Sequence, residues 1–295
     1  MNKTKTTIVK LFSTAVLGIS SLLMNPMFSA KSVQAETVLG DINRTGVLKV
    51  GIRGDVIPFG YRDLEGNLAG ICFDLVELIE AEILRQTDRN YLSTKLLLSS
   101  LYNRFDIVED NFVHLECGPN TIRELEDYEV TFSEPFFVTG VRFISHDEVS
   151  KKLVNSQGKD LRIGLLRYTS TEGLITQRYP EAEFQYFQGQ KGALRAFQAL
   201  SRQEIDAFAS DSILLIGESV AEKFPLGETT GYILTPEQSL RCEKYGFVLP
   251  VDNPDWKNLV DKVLASDETK EVFRKWFSAF PSDSFRNLAR CSIDQ

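Results

Sequence analysis

Val47-Leu48-Lys49-Val50-Gly51-Ile52, after the turn at Thr45-Gly46, is a strand of β-branched and aliphatic residues, and Asp160-Leu161-Arg162-Ile163-Gly164-Leu165-Leu166 is another. Each opens a run of alternating strands and helices. After the first come a loop with Pro58 and Gly66-Asn67, then residues 74–86, where Leu75, Val76, Leu78, Ile79, Ile83 and Leu84 make one broad helical face that Asp74 is placed to cap. A strand near 95–98, a short helix near 102–109 and a strand near 112–116 complete that run. The second strand runs into the polar loop Tyr168-Thr169-Ser170-Thr171-Glu172, a helix over 173–179 that stops at Pro180, a strand at Phe184–Phe187, a helix at Ala193–Leu200 and a strand starting at Ile205. Two more helices, about 254–265 and 268–278, end the regular pattern. This alternation predicts mostly parallel sheets covered by helices, in two α/β lobes with a cleft between them.

Working outward, 295 residues suffice for two lobes that each bury a core. Lys and Arg number 33 against 41 Asp and Glu, a formal charge of -8, and no basic run exists to track a nucleic-acid backbone. Residues 1–35 read as an export signal: Lys3, Lys5 and Lys10 precede an apolar stretch from Leu11 to Met24, and Val33-Gln34-Ala35 offers a cleavage site. Removing them takes four lysines and no acid, which moves the charge to -12. The remaining chain is expected to be exported, soluble and monomeric. All four cysteines, Cys72, Cys117, Cys242 and Cys291, lie in that exported part. An oxidising compartment favours two disulfides, for which the sequence allows three pairings. Cys72 with Cys117 and Cys242 with Cys291 keeps each bridge within one neighbourhood. No close Cys pair supplies zinc-ligand spacing, and no metal or cofactor is expected.

In open α/β sheets, ligands sit beyond the carboxyl ends of strands. Four loops stand there: Arg53 to Tyr61, Cys117 to Arg123, Arg167 to Glu172, and Ser210-Asp211-Ser212. Their Arg, Thr, Ser, Asp and aromatic residues suit a small zwitterion or carboxylate, with a guanidinium fork for the anion and Asp for an ammonium. Thr121 before Ile122-Arg123-Glu124 also reads as a helix cap, and Phe59 and Tyr61 read as core or as a ligand wall. His114 and Cys117 point to opposite faces of a strand, so they form no metal pair. No Ser-His-acid or Cys-His set and no paired carboxylates can be assembled, which disfavours an enzyme.

The strings GVLKVG (46–51), PFGY (58–61) and GNLAGICFDL (66–75) resemble the opening of periplasmic solute-binding proteins of the polar amino-acid class, family 3. NRFDIVEDNFVHLECGPNTI (103–122) and TFSEPFFVTGVRFI (131–144) continue the likeness, most similar to the glutamate/aspartate-binding branch. RIGLLRYTSTE, EIDAFASDSILLIGE, YGFVLP and FRKWF follow in the family's order. The resemblance implies a type II periplasmic-binding-protein fold: lobe 1 at 36–139 and 237–295, lobe 2 at 140–236, and a hinge of two crossovers near 137–142 and 235–241. It also implies that the C-terminal tail packs on lobe 1, in keeping with a Cys242–Cys291 bridge. By the same resemblance Arg53 helps to hold an acidic side chain, and Arg104 adds positive charge beside it. Thr121 meets the ligand carboxylate, Thr169, Ser170 and Thr171 line the second lobe, Asp211 accepts from the α-ammonium, and Phe59 and Tyr61 form an aromatic wall. Three positions depart from the family pattern: Glu126 stands where an Arg pairs with the α-carboxylate, leaving Arg123 to replace it, Ala193 stands about where the branch has a lobe-2 His, and Pro119 replaces a hydroxyl residue. The implied activity is binding of an amino acid or related small carboxylate for an ABC-transporter permease. Ligand sensing without transport, and an enzyme on the same fold such as a periplasmic dehydratase, are the alternatives.

Overall fold

The computed structural model describes residues 36–87, 89–227, 231–278 and 291. The expected export signal, and all of the C-terminal tail but Cys291, lie outside them. Lobe 1 begins with α1 (Val38–Thr45), β1 (Val47–Arg53), the short hairpin β2 (Tyr61–Arg62) and β3 (Leu68–Ala69), and α2 (Ile71–Gln86). Next come β4 (Ser93–Ser99), α3 (Asp106–Glu109), β5 (Leu115–Cys117) and β6 (Val130–Phe132). The long strand β7 (Phe137–His146) leads into lobe 2, with α4 (Asp147–Asn155), β8 (Arg162–Leu166), α5 (Ser170–Arg178), β9 (Glu183–Phe187), α6 (Gly192–Ser201), β10 (Ala207–Asp211), α7 (Ser212–Ala221) and β11 (Tyr232–Thr235). The chain returns through β12 (Cys242–Tyr245) to β13 (Val248–Pro250), α8 (Pro254–Leu264) and α9 (Asp267–Ser278).

One sheet has the order β4-β1-β5-β13-β6 and the other β11-β7-β10-β8-β9, with β12 also paired to β7. Each sheet is mixed. β4, β1 and β5 run parallel, as do β9, β8 and β10, while β13 is antiparallel to its neighbours and β7 to β10, β11 and β12. The expectation of mostly parallel sheets holds for strand direction, with one reversed strand in each sheet, β13 in the first and β7 in the second. β7 spans both connections: Phe137–Gly140 pairs with β12, and Val141–Ser145 pairs with β10.

Alternation along the strands explains the layers. Val141, Phe143, Ala207 and Ala209 pack on one face of the second sheet with Leu153 and Ile175, whereas Ile144 and Phe208 face Phe197, Leu200 and Leu215. In the first sheet Leu48, Val50 and Ile52 bury against α2, α8 and α9, through Leu75, Ile79, Trp256 and Phe277. Ile107 and Val108 of α3 pack with Val113 and Val248.

Three local expectations are corrected. The helix expected at 74–86 starts at Ile71, after Gly70 at φ 137°, where a Cβ would lie 2.2 Å from the Phe59 carbonyl oxygen. Asp74 is thus inside the first turn and does not cap it; its Oδ2 accepts from Trp276 Nε1 at 2.7 Å. The helix near 102–109 shrinks to α3, and the strand near 112–116 is β5, three residues long.

The bridges are Cys72–Cys117 and Cys242–Cys291. The first ties α2 to the end of β5, just ahead of the loop that carries Thr121. Its cysteines stand 45 positions apart, and replacing both by Ala is expected to lower stability by about 2–4 kcal/mol. Denaturant unfolding measures this, and a change below about 1 kcal/mol would show that the bridge does not constrain the unfolded chain.

Candidate functional site

The register of each sheet brings the site together. Arg53 pairs with Ser99, and Ile52 with Cys117, so β1, β4 and β5 end level and launch three loops from one edge of lobe 1. β8, β9 and β10 end at Leu166, Phe187 and Asp211 in lobe 2. Loops from both edges line one cavity, about 870 Å³ of empty space counted to its mouth. Arg53, Arg104, Thr121, Arg123, Thr169, Ser170, Thr171 and Asp211 all line it.

Arg53 is buried at the end of β1, and its Nε donates to Asp55 Oδ1 at 2.7 Å. Arg104 is buried on the turn after β4, donating from Nη1 to the Leu101 carbonyl at 3.0 Å and from Nη2 to the Tyr168 carbonyl of lobe 2 at 2.8 Å. Its Nε is buried with no hydrogen-bond partner. Burial, then the neighbouring Arg53, lowers its pKa to about 10, so it stays cationic at neutral pH. Glu116 lies beneath, fully buried, accepting from Ser99 Oγ and Asn120 Nδ2 at 2.5 Å each. Burial raises its pKa. A Cβ on Gly118 would stand 3.1 Å from Arg53 Cγ and 3.2 Å from Glu116 Oε1, so that glycine leaves room where the two side chains converge.

Thr121 is not a helix cap. It forms an antiparallel bridge with Tyr245, and Ile122 N donates to the Lys244 carbonyl at 2.8 Å, which holds this stretch extended. Thr121 Oγ1 lies 3.1 Å from Ser170 Oγ, a hydroxyl contact across the cleft. Thr169 caps α5: its Oγ1 accepts from Glu172 N at 3.1 Å and donates to the Leu166 carbonyl at 2.8 Å. Thr171 Oγ1 donates to Asp211 Oδ1 at 3.3 Å, and the Tyr245 hydroxyl donates to Asp211 Oδ2. Asp211 precedes α7 without capping it by its side chain, which leaves the carboxylate to the cavity. Burial first, then Glu243, raises its pKa to about 7.

Phe59 and Tyr61 are not brought to the cavity. Phe59 is fully buried with Phe136, Phe137 and Tyr245, and Tyr61 packs edge-on to Trp276 at 6.3 Å. Glu126 is exposed and does not line the cavity, whereas Arg123 does. His146 packs against Tyr232 with ring centroids 3.9 Å apart. His114 is buried with Nε2 3.0 Å from Asp41 Oδ2. Among the described residues no cluster of His, Cys, Asp or Glu is arranged to hold a metal ion.

The reading of the sequence missed Asp55, Gln190 and Glu218, which also line the cavity, and Tyr245, which holds Asp211. Glu218 had a signal: it stands seven positions after Asp211 and four after Leu214, on one face of α7. Burial, then Glu222 and Asp55, raises its pKa to about 7. Phe197, Phe208, Leu166 and Leu214 form an apolar stretch of wall near these carboxyl groups.

Two α/β lobes meeting on a polar cavity define a ligand-binding protein of the type II periplasmic-binding fold. The profile of the bacterial extracellular solute-binding proteins, family 3, matches residues 48–279, and the chain belongs to that family. It is similar to the glutamate/aspartate import solute-binding protein of Escherichia coli (strain K12), at 26% identity over 245 residues, covering 82% of this chain and 79% of that one. Among solved structures, an amino acid ABC transporter substrate-binding protein from Streptococcus pneumoniae bound to L-arginine has a TM-score of 0.64 at 19% identity, covering 82% of this chain and 96% of that one. The ancestral amino acid-binding protein AncCDT-1, a precursor of cyclohexadienyl dehydratase, has a TM-score of 0.66 at 18% identity, covering 82% and 99%. These two structural likenesses establish the fold. No helix among the described residues is long and apolar enough to cross a membrane.

Proposed function

We propose that this chain is an exported receptor that binds an α-amino acid by closing two lobes, residues 36–139 with 237–295 and residues 140–236, about a hinge at 137–142 and 235–241, and delivers it to an ABC-type permease. The observation that carries this reading is the polarity of the cavity between the two sheets: Arg104 and Arg123 come from loops of the first sheet, Asp211 from the end of a strand in the second. A zwitterion fits between them, its carboxylate toward the guanidinium groups and Thr121, its ammonium toward Asp211. Lobe 1, with more charge, binds first; Thr169, Ser170, Thr171 and Asp211 then add contacts that favour the closed form. Arg104 to the Tyr168 carbonyl and Thr121 to Ser170 are links that join the lobes once closed. Charged hydrogen bonds contribute roughly 1.5–3 kcal/mol each, and a few of them sustain micromolar affinity, about -8 kcal/mol, after ordering costs.

The names of the relatives support import of an amino acid. Binding without turnover is the reading we favour, since Asp211 serves as partner of the ligand ammonium and Asp55 as partner of Arg53. A thermal-shift screen of the amino acids and common small carboxylates tests it: at a hundredfold excess over Kd, a true ligand adds about 2.7 kcal/mol. No shift with any amino acid would sink the proposal, and chemical conversion of the bound compound would favour an enzyme.

A further inference from the structure

Three guanidinium groups and three carboxyl groups line the cavity: Arg53, Arg104, Arg123, Asp55, Asp211 and Glu218. Among the described residues no Lys or His joins them there, so this lining is formally neutral when all six are ionised. Glu116 below adds no positive charge, and Glu243 beside Asp211 is paired with Arg241 at 2.6 Å. A neutral lining suits a ligand of zero net charge. An acidic amino acid brings one extra negative charge into a partly desolvated site, where an uncompensated charge is costly.

Geometry makes Asp55 responsible. Arg53, one of the three guanidinium groups of the lining, already donates its Nε to Asp55 Oδ1 at 2.7 Å, in a pair with side chains 6% and 15% exposed. A second carboxylate at Arg53 has to approach Asp55. Glu218 adds to this repulsion from α7 of lobe 2, which packs so closely on the Asp55 loop that a Cβ on Gly217 would lie 2.3 Å from the Ile57 carbonyl oxygen. Neutral polar groups, Gln190 and Ser210, line the same space.

We propose that Asp55 is a built-in counter-charge that withholds Arg53 from acidic ligands, so that the cavity takes an amino acid with an uncharged side chain. This rests on the amino-acid reading above. The test is calorimetric titration of the full exported chain with the isosteric pairs glutamine/glutamate and asparagine/aspartate, at about pH 8, where Asp211 and Glu218 are ionised. The wild-type protein should bind the amide of its preferred pair at least about tenfold more tightly than the acid, and Asp55→Asn should move that ratio toward the acid by about tenfold. Asp55→Ser, which also frees Arg53, should move it in the same direction. An acid bound as tightly as its amide by the wild type, or an unchanged ratio in both variants, overturns the inference while leaving the amino-acid receptor intact. Absence of binding by any amino acid overturns both.

Discussion

Asp211→Asn is expected to lower the affinity for every α-amino acid by about 2–5 kcal/mol, at least about thirtyfold, with little effect on the fold. The amide has the same shape, can keep a bond to Thr171 and can donate to the Tyr245 hydroxyl, so the packing around it persists. What is lost is the negative charge opposite the ligand ammonium. The pH dependence separates this from a packing effect. Burial and Glu243 hold the Asp211 pKa in the free protein at about 7, and an ammonium partner must lower it, because the opposite charge favours the ionised form. Binding then releases a proton near neutral pH. By linkage, wild-type affinity is highest above pH 7 and declines as pH falls through that value. In Asp211→Asn the part of the pH profile due to this group disappears. Titration calorimetry across buffers of different ionisation enthalpy reads both quantities, and a variant with wild-type affinity and pH profile would remove Asp211 from the site.

Arg104→Ala is expected to cost a comparable amount, about 2–5 kcal/mol of binding free energy, for two reasons. The guanidinium is a buried cation of the anion-binding side, and it is also the donor that reaches the Tyr168 carbonyl across the cleft. Removing it weakens the first encounter with the ligand and removes a link that holds the lobes shut. Arg104→Lys keeps a charge but not the fork that serves Leu101 and Tyr168 together, so it should recover only part of the loss. Small-angle scattering with saturating ligand should show the Ala variant closing less completely than the wild type. Equal affinity and equal compaction would assign Arg104 a purely structural role.

Much of this site was legible because its residues stand at predictable places. Arg53 ends a strand of alternating aliphatics, Thr169–Thr171 follow the strand beginning at Arg162, and Asp211 closes β10. The carboxyl ends of strands in an α/β sheet converge, so position and residue type sufficed. Phe59 and Tyr61 were misread because an aromatic residue near a strand end suits core and cleft equally; contacts with Phe136, Phe137, Tyr245 and Trp276, distant in sequence, decide the matter. Thr121 carried a local capping pattern that lost to long-range pairing with Tyr245. Asp55 lay within a loop already singled out, yet its bond to Arg53 depends on how that loop folds back. The same non-local cause hid the reversed strands, since β7 and β13 run against their sheets only because of how the chain passes from one lobe to the other and back.

The most direct measurement of the central claim is a crystal structure of the chain with the amino acid that gives the largest thermal shift. The account predicts closed lobes, the ligand ammonium within hydrogen-bond reach of Asp211, and its carboxylate turned toward Thr121, Arg104 and Arg123. A ligand seated elsewhere, or one whose ammonium faces the arginines, would contradict it.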